Sequence, residues 1–403
     1  MELKHRAVVM GTNYYIGLAI VRNLGRHNIK VTTMDYEPSP YGISKYADKS
    51  LIVPHYQKEE ERLVKSMIAY AESLEEKPVL FLSSDPYVEF FDRNFDALKE
   101  HYLFPMDQKG LLSSIMDKDS LVNYTDRYGI PTPEKILCDE EDLVERVDEE
   151  IGYPCILKPK DSASFVQLFR EKAFVLKNKD MLIDRLELVE NTPECDTSDC
   201  FVQRIVKGPE SNCYSADLYY GPGTELKGFL TTEKIRQWPN NFGASTYAKQ
   251  VWIPELIPLV DPLFQGVKFR GFAEVELKRD ERTGVVYLIE INVRFINFTE
   301  MLCHLGFETP YMYYMDATGG DIPEKFITYD TDCHWKYKHE DISAVRGYLR
   351  TKQMTFGQIV SDYKFKKVNS TWAWDDMGPG FNYFGHLVKK EFSKLSRKLS
   401  KKS

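Results

Sequence analysis

The sequence predicts an α/β fold in which an open parallel sheet is followed by a mixed α+β region. In the first 115 residues, short apolar strands end in polar turns, and apolar residues at helical spacing follow them. This is the pattern of a parallel sheet with helices between its strands. From residue 116 onward, strands dominate. We therefore expect an N-terminal domain over residues 1–115 and a second domain over residues 116–322.

The N-terminal strands are predicted over residues 7–10, 30–34 and 78–82. The turn from Gly11 to Gly17 has two glycines six residues apart, so an ordinary strand-to-helix turn is favoured over a dinucleotide site with Asp35 as the ribose acid. In open parallel sheets, ligands bind beyond the carboxyl ends of the strands. The polar residues at these ends form a candidate substrate crevice: Thr12, Asn13, Ser83, Ser84 and Asp85.

The second domain begins with a helix predicted over residues 117–128, which Gly129 and Pro131 end. Its strands are predicted over residues 155–158, 165–169, 173–176, 201–206, 213–220, 227–232, 271–279 and 285–291. An aromatic-rich extension over residues 323–380 and a basic tail over residues 381–403 complete the predicted division of the chain.

Composition places the chain among ordinary globular proteins, with 403 residues, 43% hydrophobic and 28% charged. The net charge of −8 disfavours a protein that mainly binds nucleic acid. The sequence has no apolar run of about eighteen residues and no hydrophobic signal segment. The seven cysteines, an odd number scattered along the chain, indicate a reduced cytoplasmic protein rather than a disulfide framework.

Lys158 ends an apolar strand, and burying an ammonium group without a partner is costly. A phosphate partner would explain this lysine, and the loop that follows offers backbone N–H groups and the hydroxyls of Ser162 and Ser164. A lysine that extends from the strand end into water explains the pattern equally well.

Two further segments are ambiguous in isolation. The backbone of Ile205 and Val206 could offer a donor and an acceptor to an adenine edge, with Glu210 accepting from ribose, but a hairpin with a solvated glutamate is favoured. Lys234 and Arg236 precede a glycine-containing loop and could face a phosphoryl group. By itself, this pattern indicates a phosphoryl-binding site no more strongly than it indicates an ordinary charged strand end.

A predicted hairpin is the most informative stretch. Alternation places polar side chains on one face of each strand, Glu274, Glu276 and Lys278 on the first and Glu290, Asn292 and Arg294 on the second. Carboxylates grouped in this way repel each other unless a cation binds, and carboxylate and amide oxygens are the ligands that Mg²⁺ takes, together with phosphate oxygens. The alternative is a hydrated polar face, which the tight alternation with Ile289 and Ile291 weakens.

Five segments occur in a recognisable order: DKDSLVNYTDRYGIPTP, YPCILKPKDSAS, VQRIVKGPE, TTEKIRQWPNNFGAS and YLIEINVRF. In this order and spacing they resemble the ATP-grasp carboxylate–amine ligases, and most of all the D-aspartate ligase-like branch. The N-terminal segments VVMGTNYYIGLAIVRNLGRHNIKVTTMD and LFLSSDPYVEFF resemble the pre-ATP-grasp domain of that branch. The resemblance covers about residues 6–320 and implies a two-lobed ATP-grasp domain, with a lid lobe over about residues 130–205.

The resemblance implies roles for individual residues. The ATP phosphates would be bound by Lys118, Lys158, Ser162 and Ser164. The adenine and ribose would be bound by Gln203, Arg204, Ile205, Val206 and Glu210. Two Mg²⁺ ions, with Mn²⁺ as the alternative, would be held by Glu276, Glu290 and Asn292. The transferred phosphate and the acyl phosphate would face the catalytic residues Lys234, Arg236 and Arg294. Two departures from the family are the loop after Lys158, which lacks glycine, and Gln203, where many relatives have glutamate.

The implied function is an ATP-dependent ligase. A carboxylate, expected to be that of an amino acid, attacks the γ-phosphate, and an amine then attacks the acyl phosphate. Modification of peptidoglycan precursors is the expected pathway, and a homodimer is compatible with the sequence. Two alternatives stay open: a non-catalytic nucleotide-binding scaffold, which the complete set of metal ligands disfavours, and an ATP-grasp kinase or carboxylase.

The C-terminal tail differs in charge from the rest of the chain. Residues 388–403 carry a net +6, whereas the other 387 residues carry −14. Apolar residues recur at helical spacing, namely Phe384, Leu387, Val388, Phe392, Leu395 and Leu399. A basic amphipathic helix of this kind can contact the inner surface of an anionic membrane. A solvated tail whose first part packs on the protein is slightly favoured over this hypothesis.

Overall fold

The computed structural model describes residues 3–41, 43–160 and 162–400. Side chains are described for these residues except 118–119, 162–164, 166 and 390–400. Among the residues that the structure describes, we find no helix whose length and apolar character would let it cross a membrane.

The N-terminal domain is an open parallel sheet, as the sequence predicts. Its strands are β1 (Ala7–Met10), β2 (Val31–Asp35), β3 (Ala47–Ile52) and β4 (Val79–Leu82). Its helices are α1 (Tyr15–Arg26), α2 (Glu60–Glu72), α3 (Asp85–Arg93), α4 (Phe95–Lys99) and α5 (Leu111–Met116). The strand order is β3-β2-β1-β4, and neighbouring strands run parallel. Because β1 and β4 are neighbours, the turns that follow them lie side by side.

Helix α6 (Lys118–Tyr128) leads into an antiparallel lobe, which we call the lid lobe. Its strands are β5 (Lys135–Leu137), β6 (Cys155–Pro159), β7 (Phe174–Leu176) and β8 (Cys200–Arg204), in the order β5-β8-β6-β7. Its helices are α7 (Leu143–Arg146), α8 (Ser162–Phe169) and α9 (Lys179–Glu190). The lid lobe has a hydrophobic core of its own, separate from the cores of the rest of the protein.

The predicted strand over residues 165–169 is wrong, because this segment is helical and ends α8. The rings of Phe165 and Phe169 lie one helical turn apart with their centroids 4.5 Å from each other, and both contact Phe174. A short apolar run fits a strand or a buried helix equally well by its periodicity. Packing of the two rings against β7 favours the helix.

The second lobe is built on a large sheet, which we call the central sheet. Its strands are β9 (Cys213–Tyr220), β10 (Leu226–Trp238), β11 (Ala244–Gln250), β12 (Gly271–Arg279), β13 (Val286–Asn292), β14 (Lys325–Phe326), β15 (His334–Lys336) and β16 (Lys367–Asn369). The order is β13-β12-β9-β10-β11-β15-β16, with β14 beside β10. Strands from the C-terminal extension thus belong to the same sheet as the predicted metal-binding hairpin.

The remaining helices cover the central sheet and form the C-terminal extension. They are α10 (Leu256–Gly266), α11 (Thr299–His304), α12 (Thr309–Ala317), α13 (Lys338–Arg350), α14 (Phe356–Asp362) and α15 (Gly378–Ser400). Apolar side chains of the N-terminal domain and of the central sheet form one continuous cluster, for example Leu80 of β4 and Val88 of α3 with Leu218 and Val275. This shared core fixes the N-terminal crevice relative to the central sheet.

Candidate active site

A polar face crosses the central sheet at β9, β12 and β13. In an antiparallel sheet, residues directly opposite each other point to the same side. Glu276 lies opposite Glu290, and Glu274 lies opposite Asn292. On the other side of β12, Asp217 lies opposite Glu274. The sheet therefore brings the three predicted metal ligands together and adds two carboxylates beside them.

The neighbouring strand β10 supplies a positive charge to this face. Nζ of Lys234 lies 2.5 Å from Oε2 of Glu276, and the lysine side chain is only 5% exposed. Burial raises the pKa of Glu276, while Lys234 acts in the opposite direction. Burial, and then the charge of Glu276, raises the pKa of Glu274 to about 8. A further cation on this face would therefore lower the free energy of the ionised carboxylates.

Sequence reasoning missed Asp217, which is fully buried. Its Oδ2 accepts a hydrogen bond from Oγ of Ser215 at 3.1 Å, whereas its Oδ1 has no hydrogen-bond partner among the described residues. Burial, and then the charge of Glu274, raises its pKa well above the ordinary value. The signal was present in the sequence, because alternation along residues 213–220 puts Ser215 and Asp217 on one face.

The side chains of this face suit Mg²⁺ that also binds phosphate oxygens and water better than they suit a metal ion bound by protein side chains alone. Nδ2 of Asn292 donates to Oε2 of Glu274 at 2.9 Å, which leaves Oδ1 of the amide for a ligand. In the described parts of the chain, no group of three or more His, Cys, Asp or Glu side chains could hold a metal ion. The predicted set instead combines Glu276 and Glu290 with an amide oxygen, and Mg²⁺ typically completes such a set with phosphate oxygens and water.

Arg294 connects this face to the N-terminal crevice. Its Nε and Nη2 donate to Oδ1 and Oδ2 of Asp85 at 2.6 and 3.1 Å. Although burial disfavours the charged guanidinium, Asp85 and then Glu274 and Glu290 hold the pKa of Arg294 above its ordinary value. The predicted catalytic arginine and the predicted substrate-binding aspartate therefore belong to one site.

Two of the predicted crevice residues are used by the fold itself. The N–H of Thr12 donates to Oδ1 of Asp35 at 2.7 Å, and its hydroxyl donates to Oδ2. The hydroxyl of Ser83 donates to the backbone carbonyls at the end of β1 at 2.7 and 2.8 Å. Because both side chains are buried and hold neighbouring strand ends together, the structure speaks against direct substrate contacts for them. Asn13 and Asp85 remain partly exposed.

Lys158 and Gln203 meet on adjacent strands of the lid lobe, where Nζ of the lysine donates to Oε1 of the glutamine at 2.9 Å. The chain then passes through Ile205 and Val206 towards the central sheet. In the described part of the chain, no hydrogen bond joins the backbone of Val206 to another residue. Unpaired backbone donors and acceptors are what the edge of an adenine ring requires.

Two other predicted nucleotide-binding residues are engaged with protein groups. Nε of Arg204 lies 2.5 Å from Oε2 of Glu134, and its Nη2 donates to the carbonyl of Glu150 at 2.7 Å. Its side chain therefore points away from that of Gln203, as alternation along β8 requires. Glu210 accepts a hydrogen bond from the side-chain amide of Gln237, and burial raises its pKa. The ribose contact of Glu210 stays a prediction.

The side chains of Lys118, Ser162 and Ser164 lie outside the described residues, so their contacts with phosphate stay predictions. The described backbone places Lys118 at the start of α6. It places both serines in the first turn of α8, where the sequence predicted a loop.

Arg236 does not join Lys234 on the polar face. The strand pairing skips Ile235, so Lys234 lies opposite Ala248 and Arg236 lies opposite the adjacent Tyr247. Because adjacent residues of a strand point to opposite faces, this β-bulge turns Arg236 away from the carboxylates.

The guanidinium of Arg236 is fully buried between two acids of the C-terminal extension. It donates to Asp341 at 2.7 and 3.2 Å and also binds Asp362. It also stacks over the ring of Tyr247 at 4.2 Å. The structure therefore replaces the predicted phosphate contact of Arg236 with a buried ion cluster that joins β10 to the extension.

Comparison with solved structures decides the fold. The biotin carboxylase domain of 2-oxoglutarate carboxylase from Hydrogenobacter thermophilus, solved with MgADP, ADP and bicarbonate, superposes with a TM-score of 0.61 at 14% identity, covering 81% of this chain and 73% of that chain. L-Amino acid ligase from Bacillus licheniformis gives a TM-score of 0.57 at 14% identity, covering 80% of this chain and 78% of that chain. The chain has the ATP-grasp fold. The expectation from the sequence is confirmed at this level.

Among curated proteins, the ATP-grasp chain is similar to D-aspartate ligase from Enterococcus faecium (strain Aus0004). The two are 23% identical over 231 residues, which covers 54% of this chain and 53% of the relative. The match thus spans about half the length of that relative. No protein-family model matches the chain.

Proposed function

We propose that this ATP-grasp protein is an ATP- and Mg²⁺-dependent ligase that joins the carboxylate of an amino acid to an amine through an acyl phosphate. The observation that carries the proposal is the polar face on which Glu276, Glu290 and Asn292 lie together beside Lys234. The similarity to a D-aspartate ligase and to the fold of an L-amino acid ligase supports an amino acid as the carboxylate substrate.

Glu276, Glu290 and Asn292 would hold the metal, as two Mg²⁺ ions or, alternatively, Mn²⁺. When bound, Mg²⁺ neutralises phosphate charge and orients the terminal phosphate. Glu274 keeps the Asn292 amide in the required orientation through its hydrogen bond of 2.9 Å. Lys234 compensates the charge of Glu276 and faces the same side of the sheet.

The proposed reaction has two steps. A carboxylate oxygen of the substrate forms a bond to the γ-phosphorus of ATP, while the bond from that phosphorus to the β,γ-bridging oxygen breaks and ADP leaves. The amine then attacks the acyl carbon, the carbon–oxygen bond to phosphate breaks, and the amine loses a proton to solvent. The protein has to position the reactants and compensate charge, and it needs no covalent nucleophile of its own.

The nucleotide would bind between the lid lobe and the central sheet. Ile205 and Val206 would present backbone groups to adenine, and Lys158 would compensate phosphate charge. The substrate carboxylate would approach from the N-terminal crevice, where Asp85 orients the guanidinium of Arg294. Arg294 would stabilise the negative charge that develops on the acyl phosphate.

A carboxylase is the second candidate, because the 2-oxoglutarate carboxylase structure with a similar fold contains bicarbonate. Bicarbonate is also a carboxylate-like oxygen nucleophile, so the polar face alone does not separate the two reactions. Dependence of ADP release on bicarbonate, without any amino acid, would favour the carboxylase.

The proposal includes a cytoplasmic location, a peptidoglycan precursor as the source of the amine and a homodimer as the assembly. Each of the seven cysteines is a free thiol in the described structure, which supports a reducing compartment. ATP as a substrate supports the same location.

The proposal is tested by trapping the acyl phosphate with hydroxylamine. The protein is incubated with ATP, Mg²⁺, hydroxylamine and D-aspartate, with the other D- and L-amino acids in parallel. We expect ADP and an amino-acid hydroxamate in equal amounts, and neither product without the amino acid. ADP release without hydroxamate from any amino acid, or no ATP binding in equilibrium dialysis, would contradict the ligase proposal.

A further inference from the structure

Glu340 is a half-buried acid in the first turn of α13, in the C-terminal extension. Burial raises the pKa of its carboxyl, and the charge of Lys172 acts in the opposite direction. Among the described residues, however, no group forms a hydrogen bond or an ion pair with this carboxylate. Partial removal of a carboxylate from water is costly when no partner replaces the water, so a cation that binds there would stabilise the ionised form.

The packing of α13 places this acid at the N-terminal crevice. Tyr337, the residue before α13, has its ring centroid 4.3 Å from that of Tyr15 and 6.3 Å from that of Tyr14. Both tyrosines follow Asn13 at the end of the turn after β1, and this strand end is one of the two that form the crevice. Glu340 lies three residues beyond Tyr337, and residues three apart lie on the same side of a helix. The acid therefore faces the crevice beside Tyr337.

The hydroxyl of Tyr14 lies near both Glu340 and Arg294. Burial, and then the charge of Glu340, raises the pKa of this hydroxyl, whereas the charge of Arg294 lowers it. Arg294 is itself held by Asp85 at the other strand end of the crevice, where its Nε donates to Oδ1 at 2.6 Å. The crevice therefore contains a fixed cation and a further acid, and the half-buried side chain of Tyr14 is close to both.

One cation and one acid in the same crevice match the two charges of an amino acid. Near pH 7 an amino acid carries a carboxylate and an ammonium group in one molecule. In the proposed reaction the carboxylate lies at Arg294, and the ammonium group needs hydrogen-bond acceptors in the same crevice. The carboxylate oxygens of Glu340 are such acceptors, and no other described residue uses them.

We propose that Glu340 binds the ammonium group of the amino-acid substrate and thereby selects amino acids over carboxylic acids that lack an amino group. The inference rests on the proposed ligase function for the class of substrate, and it gives the C-terminal extension a part in that function. A substrate without the ammonium group leaves the half-buried carboxylate of Glu340 without a cation. Such a mismatch is what makes a polar site selective.

Lys172 is the competing partner for Glu340. It is exposed on the loop between α8 and β7 of the lid lobe, and it is the cation whose charge acts on the carboxyl of Glu340. An ion pair between the two would join the lid lobe to the C-terminal extension and would leave no acceptor for a substrate. The two possibilities predict different effects of replacing the lysine.

Binding measured without turnover tests the proposal. The unaltered protein is titrated in a calorimeter with D-aspartate, and then with the other D- and L-amino acids, in the presence of Mg²⁺ and a non-hydrolysable ATP analogue. The amino acid that binds most tightly is compared with the same acid lacking its amino group, which for D-aspartate is succinate. We expect the amino acid to bind about tenfold or more tightly than this analogue. Glu340→Gln should weaken amino-acid binding by the same factor and leave the affinity for the analogue unchanged.

Two variants serve as controls. Glu233→Gln removes the charge of another half-buried acid whose pKa burial also raises. Because Glu233 is adjacent to Lys234 on β10, it points to the opposite face of the strand, where Lys249 lies 3.0 Å away. Amino-acid binding by this variant should equal that of the unaltered protein. Lys172→Gln should also leave amino-acid binding unchanged.

Each other result overturns the proposal. Unchanged amino-acid binding by Glu340→Gln excludes a contact with the ammonium group, and so does the absence of amino-acid binding by the unaltered protein. Equal weakening of the amino acid and its analogue shows that Glu340 has a structural role. Equal weakening by Lys172→Gln identifies the lysine of the lid lobe as the partner of Glu340.

Failure of the ligase proposal gives a different result. Amino-acid binding that depends on Glu340, without formation of ADP or hydroxamate, would refute the ligase reaction while confirming the ammonium contact.

Discussion

Arg294 and Asp85 form a bidentate ion pair in which Nε and Nη2 of the arginine donate to the two carboxylate oxygens of the aspartate at 2.6 and 3.1 Å. Asp85 begins α3 in the N-terminal domain, whereas Arg294 follows β13, the second strand of the predicted metal-binding hairpin. The pair therefore connects the predicted substrate crevice to the polar face of the central sheet across 209 residues of sequence.

Asp85→Asn is expected to raise the KM for the amino acid by about tenfold to a hundredfold, with a much smaller effect on the KM for ATP. The amide keeps the shape but loses a charge-assisted pair worth about 1.5–3 kcal/mol, so Arg294 is no longer oriented. Steady-state kinetics with each substrate varied in turn provides the measurement. Asp48→Asn is the control, because Asp48 is similarly exposed and pairs with Arg6 instead. Equal effects on both KM values would argue against a substrate role for this crevice.

Glu290→Gln is expected to abolish ADP formation and to leave the melting temperature within a few degrees of the original. Glu290 is only partly buried, so the change removes a ligand charge without opening a cavity. ADP release and thermal unfolding are measured on the same preparation, with Glu281→Gln on the exposed hairpin turn as the control. Turnover equal to that of the unaltered protein would contradict the assignment of Glu290 as a metal ligand.

Asp341→Asn is expected to destabilise the protein by about 3–5 kcal/mol, because it leaves the buried charge of Arg236 undercompensated. Urea unfolding at 25 °C measures the change. Glu134→Gln breaks the exposed pair with Arg204 and is expected to cost less than about 1 kcal/mol. If the two variants are equally stable, the cluster around Arg236 is not the structural anchor that its burial indicates.

His334 is expected to make stability fall as the pH is lowered from about 6.5 to about 4. Burial, and then the charges of Lys249 and Lys367, lowers the pKa of His334 to about 4. In this window the unfolded chain binds a proton that the folded chain excludes, so folding loses up to about 3 kcal/mol. Unfolding free energies of His334→Gln should fall less steeply over this window than those of the unaltered protein. His386→Gln, which changes an exposed histidine on α15, should keep the original slope, and identical slopes for all three proteins would refute the assignment.

Local sequence patterns are sufficient to predict most of the secondary structure and the grouping of acidic side chains on the hairpin. The parallel strands over residues 7–10, 30–34 and 78–82 and the hairpin over residues 271–291 follow from apolar runs, turn residues and alternation, which are properties of neighbouring residues. Alternation likewise predicts that Glu276 lies on the polar face of its strand and that Glu290 and Asn292 share the polar face of the next. The strand register then brings the three side chains together.

Contacts between residues far apart in the sequence determine which other residues belong to the candidate site. These contacts follow from tertiary packing. A bulge at Ile235 turns Arg236 to the other face, where acids more than 100 residues away bind it. Thr12 is predicted to bind substrate because it follows a strand, yet the neighbouring strand supplies Asp35 as its partner. Asp217 is part of the site because β9 pairs with β12. Alternation along a strand predicts which side chains share a face. The element that covers that face comes from a distant part of the chain. Tertiary packing therefore determines which of these side chains are buried and which residues they contact.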